Sequence, residues 1–488
     1  MPDPLAISDP MADSRFLTAL REIVGASNVK TADDAIPFLT DWRGRYSGRA
    51  VAVVLPGTTD EVAAVVRLCR SHGRSIVPQG GNTGLCGAAT PDASGRSLVL
   101  CLRRMDAVLA VDTEDDTMTV QAGCTLAAAQ TAAHEAGRLF PLSLGSQGTC
   151  TIGGNLATNA GGTQVLRYGT MRELSLGLEV VTAAGEIWHG LGGVRKDNTG
   201  YALRDLFIGS EGTLGIVTAA TLKLFPRPVA QCTAWLPVDS IEAAVALLAH
   251  ARRGFGSALT AFELIGDMCV DGVARAFPDL SVPFPPGTSP WYALLELSDS
   301  ESEQHARERF EAVLGEALEQ GLASDAVIAA NLAHSAALWH VRESIPLAEA
   351  TLGKAVKHDI SVPVSRMAGF VASTNAAIQA RFEGVRHVIF GHLGDGNLHY
   401  NIAPAIEGVE AEAALLAQQD AIQSLVHAAV VAHGGSISAE HGIWQLKRAA
   451  LAQLKDPVGL ALMHSIKQAL DPEGRMNHGK VLETVDAP

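Results

Sequence analysis

Along the first half of the chain, apolar and polar positions change period several times. AVAVVLP (50–56) is a β-branched run and predicts a strand. EVAAVVRLCRSH (61–72) switches to helical spacing, with Asp60 as the expected cap and Gly73 as a left-handed stop. SIVP (75–78) predicts a second strand and opens directly into QGGNTGLCGAA (79–89). Two more glycine-rich stretches follow: SLGSQGTCTIGGNLATNAGG (143–162) and GSEGTLGIVT (209–218), the latter leading into the strand TLKLF. PRP at 226–228 interrupts the pattern and marks a boundary. Beyond it, strand-like runs such as WYALLELS (291–298) alternate with helical ones such as residues 302–321. A long helix is expected from about Glu410 to His433, stopped by Gly434-Gly435. Two short helices then close the chain, the last opened by Asp456-Pro457 with proline at its first position. This is an α+β pattern. Three segments are expected: 1–227 with an N-terminal helix, 228–433, and a C-terminal segment 434–488.

Composition narrows the class. The 488 residues are 47% hydrophobic and 18% charged, which is globular. The net charge of −15 argues against nucleic acid or an anionic membrane surface as the general partner. It leaves room for a small anionic substrate held by local Arg and Lys. Seven cysteines, none in a C-x-x-C pair, predict reduced thiols. Residues 1–16 show neither an apolar signal core nor an Arg-rich transit face, and no run reaches the ~18 apolar residues of a membrane span. A cytoplasmic protein is expected, and a homodimer is allowed.

The placement of glycine carries the first chemistry. Gly80, Gly81, Gly84 and Gly87 follow a strand, where backbone N–H groups can turn inward as an anion nest. Neither a P-loop lysine nor a G-x-G-x-x-G opening a helix accompanies them. Ordinary turns explain one such cluster, but three clusters in one segment suit a large cofactor that needs close backbone approach. Cys86 and Cys150, within these loops, are expected to be small packing residues.

GHLGDGNLHYN (391–401) carries the second. With Asp395-Gly396 at the centre of a two-residue turn, His392 pairs with His399 across a hairpin. A longer loop changes the pairing but keeps the rings close. Asn401 shares the face of His399. The pair reads either as a structural hydrogen-bonded couple or as two metal ligands. SAEHG (438–442) adds Glu440 and His441, and two histidines with a carboxylate match an open zinc site. Manganese suits the same donors.

Taken in order, PQGGNTG, IGGNLATNAGG, RYG (167–169), RKDNTGY (195–201) and GSEGTLG resemble the flavin-binding half of the vanillyl-alcohol-oxidase-type FAD proteins. With the C-terminal motifs, the resemblance spans roughly 45–480 and is closest to the D-2-hydroxyglutarate and D-lactate dehydrogenase branch. It implies a two-subdomain FAD-binding domain, an α+β substrate (cap) domain and a C-terminal helical segment. It also implies FAD on Pro78, Gly80, Gly81, Asn82, Thr83 and Gly84, and on Ser146, Gly148, Thr149, Gly153, Gly154, Asn155, Thr158 and Asn159. Glu211, Ile216 and Asn477 complete the set. No histidine lies between 73 and 133, so noncovalent FAD is expected. The same resemblance makes His392, His399 and Glu440 the metal ligands, His441 the base and Asn401 a substrate contact. Arg342 (LWHVRESIP) and Lys357 (VKHDISVPV) match residues that grip a distal carboxylate. Pro346 departs from relatives that carry an assisting threonine, and MNHGK (476–480) from those that read Asn-Pro.

The expected function is an FAD- and divalent-metal-dependent oxidation of a D-2-hydroxy acid, D-2-hydroxyglutarate leading. Electrons would pass to an electron-transfer flavoprotein or quinone. D-lactate or D-malate oxidation and a flavin-dependent non-redox transferase are the alternatives, with a zinc hydrolase or a flavin-free anion-binding protein further off. Trp339 and Trp444 are expected to pack, and Arg172 with Glu173 to form a surface pair.

Overall fold

The computed structural model describes residues 10–483 except Arg43 and Leu352. The targeting readings drawn from residues 1–16 lie mostly outside this range. Contacts divide the chain into two units. One comprises Met1–Gly161, Thr170–Pro226 and His441–Pro488, and the other Gly162–Gly169 and Arg227–Glu440. Both helices and sheets contribute to each, as an α+β fold requires.

In the first unit, strands Ala50–Val54, Ser97–Cys101 and Ile76–Gln79 run parallel, and Val29–Lys30 joins the edge antiparallel. Helix Thr59–Ser71 buries Val62, Val65, Val66 and Cys69, a spacing that makes one apolar stripe. Its cap is Thr58, not Asp60. Thr58 keeps extended backbone and its hydroxyl accepts the Glu61 N–H at 3.1 Å, which leaves Asp60 inside the first turn. Gly73 takes the left-handed φ of +63° expected of it. A second, antiparallel sheet has the order Val108–Asp112, Thr117–Gln121, Gly215–Lys223, Ser175–Thr182, Ile187–Gly190. Arg172 and Glu173 do not pair as expected. Glu173 closes a capping box on Thr170, while Arg172 donates to the carbonyls of Asp205 and Ile208.

From His441 onward, the C-terminal segment belongs to this unit, tied in by backbone bonds. Ile76 donates to the Arg475 carbonyl at 2.9 Å, and Asn477 donates to the Ile76 carbonyl at 2.8 Å. Glu211, in left-handed backbone at φ +56°, clamps the same segment. Its carboxylate accepts the N–H groups of Ile443 at 2.6 Å and Trp444 at 2.8 Å. All seven cysteines are free thiols, and six are buried, Cys86 and Cys150 among them.

The second unit is built on a seven-stranded sheet. Its order is Val327–Ile328, Ala230–Val238, Trp291–Asp299, Leu259–Gly266, Val385–Gly391, Asn397–Pro404, Asp359–Ser361. Every pairing is antiparallel. Ile265, Tyr292 and Trp235 share a core with Val270, Leu338, Val341 and Ile345 of helices Asp267–Ala276 and Leu332–Thr351. The long C-terminal helix is two: Val409–Leu416 and Gln419–Ala432. Between them the turn tightens, with Gln418 N–H bonding the Leu415 carbonyl. No described helix is long and apolar enough to cross a membrane.

Burial raises the Glu211 carboxyl to about 7 from its ordinary 4.5, against the pull of the Ile443 and Trp444 N–H groups and Lys447. The folded chain therefore holds this proton where the unfolded chain has released it. Stability from this group is present below the unfolded value and falls as pH rises towards the folded one. Wild type should lose on the order of 2–3 kcal/mol more than Glu211→Gln between about pH 5 and pH 8 in urea unfolding. Parallel pH profiles would contradict this.

Candidate functional site

The first unit holds a backbone cradle. Strand Ile76–Gln79 delivers the chain into Gly80 and Gly81. A Cβ on Gly80 would stand 2.3 Å from Thr151 Oγ1, and one on Gly81 2.0 Å from the Thr149 carbonyl oxygen. Only glycine lets these two loops touch. Around Gly84 and Gly148 a Cβ would meet nothing within 4 Å. Among the described residues, the backbone N–H groups from Gly80 to Gly84 donate to no protein acceptor. Consecutive N–H groups without a protein acceptor fit a diphosphate.

The other expected flavin residues lie in the same unit. Pro78 ends the strand, and Asn82, at φ +57°, ties its side chain to the Thr40 carbonyl. Thr83 offers its carbonyl to Trp42. Ser146 and Thr149 close a turn. Gly153, Gly154, Asn155 and Thr158 form the short helix Ile152–Thr158, capped by Thr151 and ended by left-handed Asn159. Ile216 is buried in its strand. Asn477 donates to the Glu211 carbonyl at 2.9 Å, and its buried Oδ1 has no protein partner among the described residues. The Glu211 carboxylate itself is spent on Ile443 and Trp444.

The second unit holds the histidines. Strands Val385–Gly391 and Asn397–Pro404 are joined by five residues, His392 to Gly396, not two. The register accordingly pairs His399 with Phe390 rather than with His392. Gly396, at φ +84°, makes the longer turn possible, because a Cβ there would lie 2.5 Å from the Val362 carbonyl oxygen. The two imidazoles still meet, with centroids 5.7 Å apart. Glu440 completes the group: one ligand-capable atom from each of His392, His399 and Glu440 lies within 4.8 Å of the others. Ligands at ~2.1 Å from zinc stand roughly 3.4 Å apart in a tetrahedron, so modest side-chain movement suffices.

Several partners could not be read from the motifs. Glu263, with no exposure, is bonded by His392 Nδ1 at 2.5 Å and by Arg342 Nε at 2.6 Å. Sheet register explains the first contact, since Leu264 pairs with Gly391 and Glu263 therefore faces His392. Burial alone would raise the Glu263 carboxyl, but Arg342 and His392 hold it down at about 2. Burial also disfavours a charged His392; Glu263 and Glu440 outweigh it and push the ring up to about 9. Glu440 is fixed twice: its carboxylate accepts the Gly162 N–H at 2.8 Å and its own N–H donates to Asp359 at 2.9 Å.

The expected carboxylate-gripping cations are both engaged. Buried Arg342 lies over the Phe390 ring at 4.9 Å, and Lys357 bonds Glu349 at 2.7 Å. Pro346 sits one turn after Arg342 in the same helix, exposed, and lacks the N–H that would bond the Arg342 carbonyl. Asn401 accepts the His358 N–H at 3.1 Å. His441, next in the chain to Glu440, is half-buried, and its carbonyl accepts the Trp444 indole N–H. Trp444 is buried as expected. Trp339 is half-buried and donates to Glu296, a second interior carboxyl raised by burial to about 6. A carboxylate inside the apolar run LTAFELIG was the available signal for Glu263.

Comparison with known proteins agrees with the resemblance drawn from the motifs. Residues 50–190 match an FAD binding domain, and residues 227–481 match the C-terminal domain of FAD linked oxidases. The chain is 39% identical over 479 residues to a D-2-hydroxyglutarate dehydrogenase of Xanthomonas citri pv. viticola, covering 98% of this chain and 99% of that one. It is 38% identical over 472 residues to the mitochondrial D-2-hydroxyglutarate dehydrogenase of Arabidopsis thaliana, covering 96% and 82%. The fold is similar to p-cresol methylhydroxylase, with a TM-score of 0.76 at 17% identity over 97% of this chain and 98% of that one.

The cradle makes a sharp expectation. Gly81→Ala should yield folded protein that has lost most of its bound FAD, measured as the flavin-to-protein absorbance ratio. Full flavin content would show that the contact with Thr149 is not needed.

Proposed function

This chain belongs to the FAD-linked oxidase family, and from that premise we propose that it is a dehydrogenase of D-2-hydroxy acids acting on D-2-hydroxyglutarate. The observation that carries the reading is the convergence of His392, His399 and Glu440 in the unit that also buries Arg342. The names borne by near-full-length relatives support the same substrate.

When bound, FAD supplies a hydride acceptor, and a divalent ion supplies a Lewis acid that lowers the pKa of the substrate hydroxyl. His392, His399 and Glu440 would hold that ion, and their nitrogen and oxygen donors suit zinc. His441 takes the hydroxyl proton on a ring nitrogen. Asn401 hydrogen-bonds the substrate. Arg342 binds the distal carboxylate through its terminal nitrogens, since Glu263 engages Nε. Lys357 adds a point charge. The Gly80–Gly84 nest would hold FAD noncovalently, and an electron-transfer flavoprotein or quinone would be the electron acceptor. Pro346 favours one second reading, a shorter acid such as D-lactate or D-malate, because it puts a ring instead of a hydroxyl one turn from Arg342.

Anaerobic titration with D- and L-2-hydroxy acids tests the proposal. D-2-hydroxyglutarate should bleach the flavin and its L-enantiomer should not. Chelator should abolish bleaching and added Zn²⁺ restore it. Arg342→Ala should cost hydroxyglutarate at least ~10-fold more in kcat/KM than lactate. Failure of every 2-hydroxy acid to bleach the flavin would defeat the reading. Equal losses on the two substrates would favour the shorter acid.

A further inference from the structure

We propose that Glu263 is a positioning residue that couples metal capture to recognition of the substrate's second carboxylate. This rests on the functional reading above and names the group that joins its two halves. The carboxylate is completely buried, and each oxygen is committed to a different partner. Oε1 takes His392 Nδ1 at 2.5 Å; Oε2 takes Arg342 Nε at 2.6 Å.

An ionised carboxylate only accepts hydrogen bonds. It therefore requires a proton on His392 Nδ1, which reserves Nε2 for the ion. That nitrogen points the right way, 3.8 Å from Glu440 Oε1. A carboxylate behind a ligating imidazole fixes both its tautomer and its orientation. The other oxygen does the same for the guanidinium, whose planar fork has one useful direction.

Phe390 reinforces the link. Its ring lies 4.9 Å from the Arg342 guanidinium carbon and 4.8 Å, centroid to centroid, from His399. Arg342, Glu263, His392, His399 and Phe390 thus form a closed circuit of contacts. With an ion on Nε2, the His392–Glu263 bond would strengthen and the hold of Glu263 on Arg342 would loosen. The charge of Arg342 is then more available to a substrate carboxylate. Binding linkage is reciprocal, so a dicarboxylate bound at Arg342 tightens the ion.

Glu263→Gln tests this. An amide has one accepting and one donating end. With the donor towards His392, the ring must carry its proton on Nε2 and cannot ligate; with the donor towards Arg342, two donors face each other. Two quantities are read on FAD-loaded protein: Zn²⁺ affinity by competition with a chromophoric chelator, and the kcat/KM ratio of D-2-hydroxyglutarate to D-lactate. Both should fall by at least ~10-fold, within the range for loss of such a supporting carboxylate. Arg342→Ala should lower the ratio with a smaller change in Zn²⁺ affinity.

A Glu263→Gln protein that keeps either quantity at the wild-type value overturns the coupling. Should the variant not accumulate as folded flavoprotein, the ¹⁵N ring shifts of His392 in wild type decide. In the Zn²⁺-loaded protein, a proton on Nδ1 with Nε2 metallated supports the proposal, and a neutral ring protonated on Nε2 alone overturns it. Wild type that binds no Zn²⁺ and oxidises no hydroxy acid would sink the functional reading itself. Wild type that does both, matched by Glu263→Gln, sinks the inference alone.

Discussion

A carboxylate cut off from water must be matched by positive charge, and Glu263 is matched twice. The cost of an isolated buried charge is several kcal/mol, so removing either partner would leave a penalty that nothing nearby offsets. Arg342 and His392 meet this demand from different elements, a helix and the loop beyond a strand. The antiparallel register beside Leu264 brings the loop into reach, and the five-residue connection lets His392 turn back towards Glu263. His399 follows on the next strand, its ring tilted against that of Phe390. Electrostatic pairing in the sheet interior thus sets where the imidazoles stand.

The first unit solves a different problem, the close approach of backbone to backbone. Gly80 and Gly81 meet residues 149–151 at distances no side chain allows. The price is a loop whose N–H groups have no protein acceptor among the described residues, a set that suits an anionic cofactor. The C-terminal segment is stitched on by main-chain bonds to Ile76 and by Glu211. Each of these contacts depends on backbone held in a particular conformation, including left-handed Glu211 and Asn477.

Much of this was legible in the residues and some was not. Glycine clusters after a strand, two histidines around a turn, and Glu440-His441 after a glycine pair marked the candidate site residues from local spacing. The family motifs gave the fold. The hairpin register escaped because Asp395-Gly396 also suits a longer turn, and only the Val362 carbonyl against Gly396 decides between them. The cap at Thr58 escaped because Thr and Asp both cap well and the extended backbone at 58 is not written in the sequence. Arg342 and Lys357 read as spare cations because Glu263 and Glu349 are 79 and 8 residues away in the chain. Ion pairing between separate elements is a tertiary fact. A lone Glu in LTAFELIG was its trace, without a partner to name.

On the proposed function, selectivity lies in an interior network rather than in an exposed groove. At its centre, Glu263 aims His392 Nε2 into a cluster shared with His399 and Glu440. X-ray absorption at the zinc edge of the metal-loaded protein tests that most directly. The expected spectrum shows one zinc per chain with two imidazole nitrogens and carboxylate oxygen in its inner shell. A shell of water and oxygen alone, or one imidazole only, would contradict the claim.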